Sequence, residues 1–152
     1  DHIKGTTDIA LTIFDSMKKI HGMGARERLL LQIAVQLHDC GKYISMADVA
    51  ECSYRIIMAT EIIGLSTEER KIIASAVRYN TTEFVYCGNY DRGPGIDRQQ
   101  YLLVAKLTAI LRLANAMDRS HHGRLDDGKL QVKGNKLIIS TSYAGNLALN
   151  CR

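Results

Sequence analysis

The string Leu37-His38-Asp39-Cys40-Gly41-Lys42 sets an imidazole beside a carboxylate where a helix-like run meets a glycine. Adjacent His and Asp side chains at a helix end can converge on one divalent ion, and a neutral imidazole with a carboxylate suits a transition metal or Mg²⁺. A second His and another Asp from different helices would complete a site able to hold water and a phosphate ester. The same dipeptide also reads as a histidine near a helix dipole followed by an exposed aspartate, and spacing alone favours that plainer reading.

A second constellation is basic. Arg119, His121, His122 and Arg124 crowd one short stretch, while Lys42, Arg55, Lys71 and Arg78 stand near ends or polar faces of other helices. A linear polyanion needs repeated, spaced cations and no base recognition, and Arg forks hold phosphate oxygens in pairs. The alternative is a solvated surface in which Arg119 pairs with Asp118 or with its own helix end. Two Arg and two His in a Gly-containing turn are denser than capping requires, which favours phosphate, and such binding should weaken steeply with salt. Cys40, between His38 and Lys42, reads as a small apolar residue at a buried helix end rather than a nucleophile.

Helices must position these groups. Over residues 3–20 the apolar positions Ile3, Ile9, Ala10, Ile13, Phe14, Met17 and Ile20 follow helical spacing, broken by His21-Gly22-Met23-Gly24. Residues 26–39 resume it with Leu29, Leu30, Ile33, Ala34 and Leu37 as the inner stripe, ending near Gly41. A third helix spans 46–60, with Val49, Cys52, Ile56, Ile57 and Ala59 inward. Ser66-Thr67-Glu68-Glu69 is a capping box opening a fourth helix to about Tyr79. Residues 80–97 hold Gly88, Asn89, Asp91, Gly93, Pro94 and Gly95 and read as an irregular loop. Asp97 or a neighbour caps a long fifth helix through Leu102, Val104, Leu107, Ile110, Leu111, Leu113 and Ala114 to about Asp118. The period then changes: Leu130, Val132, Leu137, Ile139 and Thr141 alternate around a Gly134-Asn135 hairpin, and Leu147 to Cys151 would add a third strand.

The expected fold is therefore mainly α, a single domain over 1–152 with a helical body over 1–120 and a small C-terminal antiparallel β-sheet over 129–152. Composition agrees. The chain has 152 residues, 46% hydrophobic and 24% charged, with one Pro and no Trp, enough for one core and too ordered in pattern for a disordered chain. Twenty basic and 16 acidic residues give +4, too mild to imply nucleic-acid binding, and the few aromatics suit the core better than base stacking. No apolar run approaches the ~20 residues of a membrane span. Cys40, Cys52, Cys87 and Cys151 lack CxxC spacing and suit reduced, cytoplasmic thiols. A start without Met and an end that still reads as strand suggest a piece of a longer protein.

Read together, His2, the string Ala34-Val35-Gln36-Leu37-His38-Asp39-Cys40-Gly41, and Leu111-Arg112-Leu113-Ala114-Asn115-Ala116-Met117-Asp118-Arg119 resemble the HD-domain superfamily of helical metal-dependent phosphohydrolases. With Phe14-Asp15, His21-Gly22-Met23-Gly24, Cys52-Ser53-Tyr54, Glu61-Ile62-Ile63-Gly64-Leu65-Ser66, Val77-Arg78-Tyr79 and Asp118-Arg119-Ser120-His121-His122-Gly123-Arg124, nearly the whole chain resembles the C-terminal, HD-like domain of the exopolyphosphatase/guanosine pentaphosphatase (Ppx/GppA) family.

The resemblance implies a parent hydrolase that cleaves phosphoanhydride bonds of polyphosphate or guanosine pentaphosphate in an N-terminal actin-like region, using Mg²⁺ or another divalent metal. It assigns this domain to binding polyphosphate and supporting a homodimer, with its catalytic residues elsewhere in the parent. It matches His2, His38 and Asp39 to three of the four minimal HD metal ligands, while the fourth position holds Asn115, with Asp118 three residues on as a substitute. Cys52 stands where relatives commonly carry a further His, and no His occurs between His38 and His121. A degenerate metal site is the expectation. Phosphate contacts are expected from Arg119, His121, His122, Arg124, Lys42 and Arg78. Two alternatives stay open: an HD-type phosphohydrolase acting on its own, and a purely structural dimerisation module.

Overall fold

The apolar spacing over residues 3–20 folds as two helices, α1 (His2–Ser16) and the one-turn α2 (Lys18–His21), in a computed structural model that describes residues 2–81, 97–121, 129–133 and 136–140, with side chains over 2–81 and 97–119. Two threonines are buried in α1. Their hydroxyls bond back to the preceding turn, Thr6 to the carbonyl of His2 at 2.9 Å and Thr7 to that of Ile3 at 2.7 Å, so neither enters the core unsatisfied. Gly22 then stops α2 at φ +66°, a left-handed conformation that only glycine adopts cheaply.

The chain continues through α3 (Ala25–Leu37), a 3₁₀ turn (Cys40–Tyr43), α4 (Val49–Ala59), α5 (Thr67–Tyr79) and the long α6 (Arg98–His121). Both later N-termini are closed by reciprocal caps. Ser66 Oγ accepts from the Glu69 amide at 3.1 Å while Glu69 Oε1 accepts from the Ser66 amide at 3.0 Å. Asp97 and Gln100 do the same at the head of α6, at 2.8 and 3.1 Å.

Helix α3 packs on α1, α5 and α6, and α4 packs on α5 and the 3₁₀ turn. Phe14, Ile13, Leu31, Ile73, Leu107 and Leu111 are wholly buried where these helices meet. Each such side chain contributes about 1.5–3 kcal/mol by leaving water. Two ion pairs tie α3 to its neighbours: Arg28 Nε to Asp15 of α1 at 2.9 Å and Arg26 Nε to Glu69 of α5 at 2.5 Å. No helix among the described residues is long and apolar enough to cross a membrane.

Several inner faces differ from the spacing-based expectation. The buried stripe of α3 is Leu30, Leu31, Ala34 and Val35, and Leu29 is 39% exposed. In α4 the inward residues are Ser53 and Ile57, and Ala59 is exposed. Ile20 and Leu102 also reach solvent. Where Leu, Ile and Val occupy most positions of a helix, the sequence offers more than one apolar stripe, and neighbouring helices decide which is covered.

Strands β1 (Lys129–Lys133) and β2 (Lys136–Ser140) pair antiparallel, Leu130 opposite Ile139 and Lys133 opposite Lys136, and β1 runs beside α1. The Gly134-Asn135 turn, the third strand expected at Leu147 to Cys151 and the loop around Pro94 lie outside the described residues.

Candidate functional site

Helix α3 ends one residue before the His-Asp pair. His38 is its C-cap, buried at 3% exposure, and Asp39 begins the turn beyond. Ser53, fully buried on α4, fixes this corner. Its hydroxyl accepts the Gly41 amide at 2.8 Å and donates to the His38 carbonyl at 3.2 Å. Gly41 must be glycine for packing reasons, because a Cβ there would sit 2.4 Å from the Val49 carbonyl oxygen and 2.5 Å from the Ser53 nitrogen. Both opposing atoms are backbone, so α4 could not yield without moving as a whole.

Each candidate imidazole is oriented through its Nδ1. The His38 Nδ1–H donates to the Val35 carbonyl, leaving Nε2 3.4 Å from Asp39 Oδ1. The His2 Nδ1–H is held by Asp118 Oδ2, leaving Nε2 of His2 4.0 Å from Asp39 Oδ2. One ligand atom each from His2, His38 and Asp39 lies within 4.8 Å of the others, close enough for one ion to be shared among them. This donor set, two imidazoles and a carboxylate with partners behind the rings, fits a divalent metal.

Asp118 reaches this cluster through His2, as the carboxylate behind the ring. It is 4% exposed, and its Oδ1 has no hydrogen-bond partner among the described residues. A buried orphan oxygen calls for a bound water or cation nearby.

Asn115 is occupied differently. Its Nδ2 donates to Asn80 Oδ1 at 3.2 Å, and both amides are more than nine-tenths buried. They share an open cleft of about 300 Å³ with His38, Asp39, Asp48 and Arg119. The ends of α3 and α5 both line it, His38 and Asn80 being their C-caps. Helix C-termini carry partial negative charge, which adds to Asp39 and Asp48 in favouring a cation.

The basic candidates separate. Arg119 is exposed and lines the cleft. Arg78 pairs with Glu51 at 3.0 Å and lies over the Tyr54 ring at 4.7 Å, while Lys42 is exposed near Tyr43; neither lines the cleft. His121 ends α6, but its side chain, with His122 and Arg124, lies outside the described residues.

Sequence reasoning missed Ser53 and Asn80 as parts of this site. Ser53 had one signal, a hydroxyl at the inward position one turn before Ile57. Asn80 had none, since an asparagine after a helix is equally an ordinary cap.

The family model described as Ppx/GppA phosphatase, domain III, matches residues 1–150. Comparison with curated proteins gave no match.

Proposed function

Because the chain belongs to the Ppx/GppA phosphatase family, as its domain III, we propose that it serves an exopolyphosphatase-like hydrolase by holding a phosphate chain and supporting a homodimer. The hydrolysis itself belongs to the rest of that enzyme. One observation carries the reading: His38, Asp39, Asn115 and Arg119 open on a single cleft of about 300 Å³.

The charges explain how such a cleft would take an anion. With Asp39 and Asp48 against Arg119, the wall is net negative by itself and would repel phosphate. A divalent ion held by His2, His38 and Asp39 would reverse that sign and supply a counter-charge for phosphate oxygens. Arg119, on the exposed rim, would then take a neighbouring unit of the chain through its paired N–H groups. For the dimer, Tyr43, Ile44 and Met46 form an exposed apolar group at 85%, 69% and 78% exposure, and Met46 also borders the cleft.

Binding of labelled polyphosphate to the 152-residue chain, followed with and without Mg²⁺ over a salt series, tests this. Binding should need Mg²⁺, fall steeply with salt, and weaken in Arg119→Ala. Salt-insensitive or absent binding would refute it. The convergence of His2, His38 and Asp39 also suits a second reading, in which this domain hydrolyses phosphate esters itself. Metal-dependent phosphate release by the chain alone, lost in His38→Ala, would establish that reading. A chain that stays monomeric in light scattering at high concentration would count against the dimer.

A further inference from the structure

We infer that the Asn80–Asn115 amide pair, in the cleft that the first turn of α4 also lines, is the subsite that takes one phosphate group. The inference rests on the phosphate-binding reading above and deepens it.

Two asparagines can make several hydrogen bonds each, yet these share only one, from Asn115 Nδ2 to Asn80 Oδ1. Both side chains are more than nine-tenths buried, at 8% and 7% exposure, and both line the cleft. Among the described residues no partner takes the other amide hydrogens of the pair, and both residues line the cleft. A buried amide pair with unused donors at a cavity wall is arranged for a ligand rich in acceptors.

The start of α4 adds donors of the same kind to this cleft. Val49 and Ala50, the first two residues of α4, line the cleft, and the α4 N-cap Asp48 makes no side-chain cap. Their backbone N–H groups precede the first intrahelical bond, which runs from Cys52 to the Asp48 carbonyl. A helix N-terminus carries partial positive charge and favours an oxyanion. The cleft thus combines a cation-binding group, His2, His38 and Asp39, with oxyanion donors from the neutral amides and the α4 N-terminus, where a bound metal ion would offset the charge of Asp48.

Asn115 has a definite role in this combination. A carboxylate there would stand beside Asp39 and face the phosphate with like charge. The amide removes that repulsion and holds Asn80 in place. The position thereby contributes to anion binding rather than to the metal.

The ligand class is a phosphate group with several unesterified oxygens, whether free orthophosphate or a unit of a phosphate chain. Titration calorimetry of the 152-residue chain in excess Mg²⁺ with orthophosphate, and separately with tripolyphosphate, distinguishes the sources. Asn80→Leu removes the donors at similar volume, and Asn115→Asp restores the charge. Circular dichroism checks that both variants fold, and Asn80→Ser supplies a smaller change if Asn80→Leu does not.

Both variants should bind tripolyphosphate about tenfold or more weakly than the parent chain. Asn115→Asp should at the same time bind Co²⁺ more tightly, as read from its visible absorption. Orthophosphate binding lost in Asn80→Leu would assign the subsite to a single phosphate group. Tripolyphosphate binding by the parent chain that survives unchanged in folded Asn80 variants would overturn the subsite while leaving the domain a phosphate binder. No tripolyphosphate binding by the parent chain would overturn both.

Discussion

Asp118 accepts the Nδ1 proton of His2, joining the last turns of α6 to the first residue of α1 and aiming the other ring nitrogen at Asp39. Asp118, the candidate replacement for a missing ligand, meets the cluster through the back of the His2 ring. Its place is explained by chemistry, since an imidazole is a better and better-aimed donor when its second nitrogen is fixed by a carboxylate.

Asp118→Ala should therefore weaken Co²⁺ or Mn²⁺ binding by roughly 10–100-fold without abolishing it, whereas His38→Ala should abolish it. Titration of both folded variants checks this. Equal, complete loss in the two would make Asp118 a direct ligand.

Gly41→Ala should destabilise the chain by more than the about 1–3 kcal/mol of ordinary overpacking, because the new methyl would meet backbone atoms of α4 at 2.4 and 2.5 Å. Ser53→Ala should cost about 1–3 kcal/mol through the orphaned Gly41 amide. Urea denaturation measures both. Ser53→Ala should also weaken metal binding, since that hydroxyl anchors the His38 carbonyl; unchanged metal affinity would show that the corner holds without it.

The Glu69 carboxyl is held down from 4.5 to about 2, first by its hydrogen bond with Arg26 and then by the Ser66 amide. A group depressed in the folded state stabilises above its unfolded value. That contribution is complete above about pH 4.5 and is lost as pH falls toward 2. Asp15 is lowered in the same direction, chiefly by Arg28. Urea midpoints between pH 2 and 6 should fall less steeply for Glu69→Gln than for the parent chain; parallel curves would show that the Arg26 pair contributes nothing.

Leu111→Ala, at a wholly buried position of α6, should cost about 2–5 kcal/mol. Leu102→Ala, 48% exposed on the same helix, should cost under about 1 kcal/mol. Thermal melts of the pair test whether α6 is packed as described.

Much of the local architecture is written in the chain. The Ser66–Glu69 box, the Gly22 stop and the Asp97 cap are short-range devices whose partners lie within four residues, so the sequence alone determines them. The mainly helical class follows from the same spacing, and membership of the Ppx/GppA family is legible because its strings run in order along the whole chain. The choice of inner faces is not local. Leu29 gives way to Leu31 in α3, and Ala59 to Ser53 in α4, because burial depends on which neighbour covers an already apolar surface. The site follows the same division. His2, His38 and Asp39 could be named from sequence, but the partners that orient them are a carbonyl one turn back and a carboxylate 116 positions away. Likewise Asn80 and Asn115, 35 residues apart, become one amide pair only when α5 and α6 pack together. A hydrogen bond is a relation between atoms brought close by the fold, so tertiary structure alone decided which carboxylate stands behind His2 and which amide faces the cleft.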